Sequence, residues 1–281
     1  MTTCLLKRPL TCLVITILVA GATVSPAYAQ YRPLPAPGSG AASQKGEKYH
    51  FEVSFNFWNP VPSFVVASDG LGIGGTTIDA QADLGIQQRQ INDFRIVFKP
   101  AARHKFRFSY LPMDYISTVT LNATIYFNGR QYPVSAEVGS DLKWKTYRIG
   151  YEYDFVSNKA GFFGMILEAK ETTAEIQLTS VVGNELAKAQ APIPAIGFIG
   201  RVYPATGFSV TGEYTIFKLP GNVFKDIDAH YTEFDIYATY NFTNNFGAQA
   251  GYRRIDVWVT VTNVHGSALL SGPYFGGVAR F

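Results

Sequence analysis

Cysteine is all but missing from this chain: Cys4 and Cys12 are the only two, and both lie near the start. Around them, Lys7 and Arg8 precede an apolar run from Leu10 to Val24, and Pro26-Ala27-Tyr28-Ala29 has the small-x-small form of a secretory cleavage site. Residues 1–29 therefore read as a leader cut before Gln30, which leaves a mature chain with no thiol, no disulfide and no cysteine metal site. Leu10-Thr11-Cys12 is not a lipid-attachment site, because the apolar run follows the cysteine instead of preceding it. Histidine is scarce too: His50, His104, His230 and His265 show no metal-ligand spacing, so no metal and no cofactor are expected. Beyond the leader no apolar stretch approaches the ~20 residues of a membrane-spanning helix. The net charge is only +3, which gives no sign of a nucleic-acid partner.

What the chain has in excess is aromatic residues, 15% of the total with 17 tyrosines and 21 phenylalanines. They recur at a period of two, the signature of strands with one apolar and one polar face. Phe51, Val53, Phe55 and Phe57 alternate with Glu52, Ser54, Asn56 and Trp58. Phe106, Phe108 and Tyr110 alternate with Lys105, Arg107 and Ser109, and Tyr147 to Phe155 with Arg148, Gly150, Glu152 and Asp154. The same holds for Phe94 to Phe98, for Phe163 to Leu167 and for Phe234 to Phe242, while Ile196 to Tyr203 and Phe208 to Phe217 are weaker matches. Arg253-Arg254 breaks the period and suggests a bulge in the ninth strand. If such strands lie in a membrane, only a closed barrel can satisfy their backbone polar groups.

Short breaks at Pro100–Arg103, Ser157–Ala160, Pro204–Gly207 and Thr243–Asn245 alternate with longer connections, the pattern of periplasmic turns and extracellular loops. Four such turns join five hairpins and predict ten strands, with eight or twelve as alternatives. Asn128-Gly129 is a tight-turn dipeptide expected at the tip of a long second hairpin whose arms, from about His104 and to about Phe155, extend beyond the membrane. The predicted organisation is a leader (1–29), a disordered periplasmic lead-in (30–48) and an all-β, antiparallel up-and-down transmembrane barrel (49–281) ending in the strand from Ser271 to Phe281. A soluble β-sandwich could show the same alternation with its rings turned into a core. The density of rings on one face, the leader and the terminal Phe281 favour the barrel.

On this pattern the chain resembles the small Gram-negative outer-membrane barrels of the broad OmpA, OmpX and OmpW kind. The resemblance covers Tyr49 to Phe281 and implies location in the cell outer membrane, outer-membrane lipids as surroundings and recognition of the Phe281 strand by the barrel-assembly machinery. It implies no activity, since one barrel architecture hosts anchors, enzymes and transporters.

The polar faces put Arg95, Arg107, Arg148, Glu152, Glu168, Glu213, Glu233, Asp235 and Arg253 in the lumen. Glu52, Asp93, Lys99, Lys105, Asp154, Lys170, Arg201 and Arg280 are expected beside them. A basic side chain facing lipid near the midplane would cost about 2–4 kcal/mol, which fixes this register. Such groups must pair, giving either an ion-paired plug or, alternatively, the lining of a pore for small or hydrophobic solutes.

Three motifs suggest chemistry. Gly70-Leu-Gly-Ile-Gly-Gly75 matches a phosphate-cradling pattern but lacks the strand and helix that would frame it, so it reads as a turn. Asp228-Ala-His230, placed in the fourth long loop, is similar to the Asp-x-His element of the omptin proteases. That resemblance implies that Asp228 orients His230, which activates water opposite an acidic pair. The second loop supplies only Asp114 and Asp141, well apart in sequence. His265-Gly-Ser267, also read as loop, resembles the His-x-Ser of lipid A deacylases, with Ala268 where that family has Asn. Finally, Pro60 to Gln90 carries Phe64, Val65, Val66, Leu71, Ile73, Ile78, Leu84 and Ile86, and is expected to fold over or into the barrel or to meet an extracellular ligand.

Overall fold

The alternation of rings and charges is realised as a closed antiparallel barrel of ten staves in a computed structural model that describes residues 44–68, 76–219, 227–261 and 264–281. The strands are β1 (Phe51–Trp58), β2 (Val61–Ser68), β3 (Ile78–Asp79), β4 (Ile91–Ala101), β5 (His104–Thr120), β6 (Ile125–Phe127) and β7 (Arg130–Tyr132). They continue with β8 (Glu137–Ser157), β9 (Gly161–Ser180), β10 (Gly183–Ala205), β11 (Phe208–Leu219), β12 (Ile227–Asn241), β13 (Phe246–Val261) and β14 (Val264–Arg280). The leader and the motif from Gly70 to Gly75 lie outside the described residues.

Each stave pairs with the next in sequence, and β14 closes the ring on β1 from Glu52↔Arg280 to Trp58↔Tyr274. β2 carries the first stave upward after an interruption at Asn59-Pro60, pairing with β14 from Val61↔Ser271 to Ser68↔Val264. Closure leaves no stave of the membrane band with an unpaired edge, so its backbone donors and acceptors meet inside the protein. All four short turns fall at one end, where register shifts occur at Phe98/Ala101, Asp154/Val156 and Val202/Ala205. Arg253 and Arg254 are no bulge: the ladder runs unbroken through Arg253↔Asp235 and Arg254↔Phe234, with Arg253 turned inward and Arg254 outward. The period only looks broken because Arg254 faces outward, where it pairs with Asp256 at 3.3 Å.

The outer wall carries a belt of exposed rings and aliphatics, Phe55, Phe106, Ile149, Leu167, Phe198, Tyr214 and Phe234 among them. In water such a contiguous apolar surface would drive aggregation; against acyl chains it is the favourable surface.

Two expectations about the far end need correction. The connection between β9 and β10 is only Val181-Val182, because the length lies in strands of 20 and 23 residues and not in a loop. Likewise Asp228 and His230 sit in β12, and the run from His265 to Ser267 in β14. Polar residues on the outward face of these segments erased the membrane pattern without ending the strands. Above the stacked pair Tyr110–Tyr147 (4.7 Å between centroids), β5, β8, β9 and β10 rise together as a projecting sheet. From Tyr147 to Glu137 the sheet extends about 30 Å along the strand.

The inner face of that sheet is apolar and continuous with the apolar layer of the barrel. Leu111, Met113, Tyr115, Leu142, Trp144, Ile176 and Leu178 point inward, covered by Phe64, Ile78, Leu84 and Ile86 of the first loop and by Ile125, Phe127 and Tyr132 of the β6–β7 hairpin. Asn128 and Gly129, both at positive φ (49° and 81°), make the tight turn at its tip. The first loop thus folds over the barrel mouth, with Phe64 edge-on to Tyr115 at 5.7 Å and Ser117 donating to the Leu84 carbonyl.

The lead-in is corrected at its last residues. Gln44–Lys48 are ordered, and Glu47 is buried in the lower mouth of the barrel.

Candidate functional site: the lumen

Strand alternation forces nine basic groups (Arg95, Lys99, Lys105, Arg107, Arg148, Lys170, Arg201, Arg253, Arg280) into the barrel interior. Nine acidic ones meet them: Glu47, Glu52, Asp93, Glu152, Asp154, Glu168, Glu213, Glu233 and Asp235. The two sets cancel. Arg95, Arg107, Arg148, Glu152, Glu168, Glu213, Glu233, Asp235 and Arg253 all occupy inward positions with little exposure.

The centre is a knot around Arg253, which donates from Nη2 to Asp93 and Asp235 at 3.0 Å each and lies 3.7 Å from Glu233. Arg95 joins the same two aspartates at 2.7 and 2.9 Å. Beside it Glu233 accepts from Arg148, from Lys170 at 2.9 Å and from the Tyr231 hydroxyl at 2.6 Å. Glu168 sits 3.3 Å from Lys170 and 3.7 Å from Arg148. Lower down, Arg107 bridges Glu152 (2.9 Å) and Glu213 (2.6 Å), and Lys105 joins Glu152 to Asp154. At the bottom Arg280 holds Glu52 at 2.6 Å, and Arg201 holds both oxygens of Glu47 at 3.1 Å.

Periodicity could have assigned Tyr231, Tyr237 and Tyr274 to this network, since they occupy inward positions of β12 and β14. Their hydroxyls donate to Glu233, Glu213 and Asp235. Glu47 had no such signal, because a Pro- and Gly-rich lead-in has no period.

Little space remains. A cavity of about 30 Å³ lies among Glu52, Arg95, Arg107, Arg148, Glu152 and Arg201. That is room for about two waters. Above the ionic layer, Trp58, Leu111, Met113, Trp144, Ile255 and Leu270 fill the section with apolar side chains.

The hydrolase motifs do not assemble at a mouth. In β12 the odd positions Tyr231, Glu233 and Asp235 face inward, so Asp228 and His230 face outward; His230 Nε2 lies 2.7 Å from Thr232 Oγ1 on the same outer face. Asp114 and Asp141 come closer than their spacing in sequence suggests, on adjacent strands one register step from each other, but both are on the outer wall and Asp141 is held by Lys143 at 2.6 Å. Three strands, β9 to β11, separate them from His230. Replacing His230 by alanine is therefore expected to leave any peptide hydrolysis by the purified barrel unchanged, measured against a fluorogenic peptide library. Ser267 is outward and half-buried in β14, opposite Trp258. Among the described residues no group of His, Cys, Asp and Glu has the arrangement of a metal site.

No family model matches the chain, and no curated protein matches it. Among solved structures it is similar to the outer membrane protease OmpT of Escherichia coli, with a TM-score of 0.53 at 9% identity over 82% of this chain and 96% of that one. The attachment invasion locus protein Ail of Yersinia pestis is matched at a TM-score of 0.37 and 11% identity, over 83% and 99% of the two chains. The Pseudomonas putida toluene transporter TodX is matched at 0.34 and 9%, over 88% and 96%. With its ten-stave closure, short turns at one end and projecting strands at the other, the chain has the fold of the small Gram-negative outer-membrane β-barrels.

Proposed function

We propose that the protein is an integral outer-membrane barrel that does not conduct solutes and that presents its β5–β8–β9–β10 sheet outside the cell as an interaction surface. One observation carries this reading: a lumen of nine cations and nine anions, eight of the cations in salt bridges and Lys99 over the Tyr49 ring at 5.0 Å, with little space left beneath an apolar layer. Close-packed ion pairs beneath an apolar layer support a section that passes neither water nor ions. The projecting sheet supports the second half, since it adds nothing to spanning yet carries the apolar core of the barrel onward beyond the membrane band. Its outer face carries the alternating row Asp114↔Lys143↔Glu175↔Lys188, a hydrated surface suited to polar contacts. On its free edge, from Gly183 to Ala195, β10 has Lys188, Pro192 and Pro194, residues that discourage indiscriminate strand pairing. Export through a cleaved leader, and assembly through the β14 strand with Phe281, belong to the same proposal.

The test combines fractionation with electrophysiology. The protein should appear in the outer-membrane fraction, migrate differently on detergent gels before and after boiling, and give no discrete channels in planar bilayers. Steady conductance steps that change in Arg148→Ala or Glu152→Ala would replace this reading with the transport one. Absence of heat-modifiable migration would remove the barrel from the membrane altogether.

A further inference from the structure

Outside the lumen, the charged side chains described at the end of the barrel that carries the short turns are of one sign, although the terminal carboxylate of Phe281 stands at the same end. Among the described residues its side chains include Lys45, Lys48, Arg103 and Lys159, and no aspartate or glutamate. At the other end both signs interleave, as in Asp114, Lys143, Glu175 and Lys188.

The lower cations are fixed in place by their backbones. The Arg103 carbonyl accepts from the Asp154 amide at 2.9 Å, and the Lys159 carbonyl accepts from Gln44 Nε2 at 3.0 Å, which ties the β8–β9 turn to the lead-in. The Lys45 carbonyl accepts from Asn241 at 2.9 Å. Arg103, Lys159 and Lys48 are exposed, and no carboxylate lies within salt-bridge distance of them among the described residues.

Directly above Arg103 and Lys159 runs an outward chain of rings across β1, β4, β5, β8 and β9. Phe51 stacks on Phe98 at 4.8 Å, Phe106 meets Tyr151 at 5.5 Å, and Phe155 meets Phe163 at 6.4 Å. His104 joins them, 2.6 Å from the Tyr151 hydroxyl. Aromatic girdles settle where hydrocarbon gives way to head groups. The basic turn residues therefore stand at head-group height, just beyond the rings.

We infer that this arc binds the phosphate-bearing head groups of anionic phospholipids in the periplasmic leaflet, the rings packing on the upper acyl segments while Arg103 and Lys159 meet the phosphates. This rests on the membrane-barrel reading above and adds to it a lipid class and a leaflet. A guanidinium supplies paired donors to phosphate oxygens, and lysine supplies a point charge.

The experiment places the full mature chain in phosphatidylcholine vesicles and measures first-shell association of spin-labelled phosphatidylglycerol relative to spin-labelled phosphatidylcholine. A several-fold preference for the anionic lipid is expected, reduced in each of Arg103→Gln and Lys159→Gln and lost in the double variant. Lys143→Gln and Lys188→Gln, at the opposite end, should leave the preference intact. Equal association of the two lipids, or a preference indifferent to Arg103 and Lys159, would overturn the inference. So would abolition of the preference by inorganic phosphate at matched ionic strength, which would assign the arc to free phosphate. Heat-modifiable migration is read on the same samples: its presence without lipid preference sinks this inference alone, and its absence sinks the barrel reading.

Discussion

Arg253→Ala is expected to destabilise the barrel by about 3–5 kcal/mol, the range seen when one partner is stripped from a buried ion cluster. Arg253 is 2% exposed and shares its guanidinium among Asp93, Glu233 and Asp235, with Trp58 and Tyr274 rings 5.5 Å away. Its loss leaves Arg95 as the remaining cation on both aspartates. Urea unfolding in vesicles, followed by tryptophan fluorescence, measures the change. A paired replacement, Arg253→Met with Asp235→Leu, removes charge of both signs and should recover much of the loss, because apolar groups of similar volume can substitute for a buried pair. A single-substitution cost below about 1 kcal/mol would mean that water reaches the site, as at an exposed salt bridge.

The second large effect belongs to Glu47. Burial alone would push its carboxyl up, but Arg201, Arg280, Lys99 and Lys105 together outweigh that and hold it at about 2. The sign follows directly: a carboxylate depressed from 4.5 stabilises the fold at every pH above that value, and the contribution fades only as pH falls towards about 2. Glu47→Ala leaves Arg201 without its carboxylate, and Tyr203, whose hydroxyl donates to Glu47 at 3.1 Å, without its acceptor. A loss of about 3 kcal/mol is expected, because Arg280 keeps Glu52. The lead-in should then become cleavable by added protease at neutral pH, whereas in the unmodified protein the bond after Lys45 stays protected down to about pH 4. Equal cleavage of both forms would show that the lead-in is not anchored by this residue.

Much of this architecture was legible because a strand in a barrel wall has two unlike solvents. Phe106, Phe108 and Tyr110 against Lys105, Arg107 and Ser109 leave a single register that avoids basic groups in lipid, so the lumen set could be named residue by residue. The same reasoning lost its grip where the solvents stop differing. Beyond Tyr147, β8 has water outside and an apolar core inside, and Asp141, Lys143 and Lys145 no longer contrast with greasy neighbours in the membrane sense. For that reason the upper parts of β9 and β10 leave no signal and Asp228 and His230 read as loop residues, whereas the long arms of the second hairpin, β5 and β8, are legible around the Asn128-Gly129 turn. Leu84 and Ile86 announced a buried loop by composition, but their partners Met113, Tyr115 and Trp144 lie far along the chain, and no local pattern links them. Glu47 was invisible for a related reason: its anchors, Arg201 and Arg280, are distant in sequence and come together only when β14 closes on β1.

Thiol accessibility tests the sealed, two-solvent wall most directly, since residues 30–281 contain no cysteine to interfere. Ser54, Ser109 and Thr211 are small buried lumen residues, Phe55 and Ala248 face outward in the apolar belt, and Val181 is 96% exposed between β9 and β10. Each is replaced singly by cysteine, and the folded barrel in vesicles is treated with a charged, water-soluble methanethiosulfonate and then with an apolar, lipid-soluble maleimide. The account predicts rapid reaction of Val181→Cys with the charged reagent, reaction of Phe55→Cys and Ala248→Cys with the apolar one only, and silence of the three lumen cysteines towards both until the protein is unfolded. Modification of Ser54→Cys, Ser109→Cys or Thr211→Cys by the charged reagent at a rate near that of Val181→Cys would contradict it, because it would mean an open, watered channel where the structure has a neutral, close-packed core.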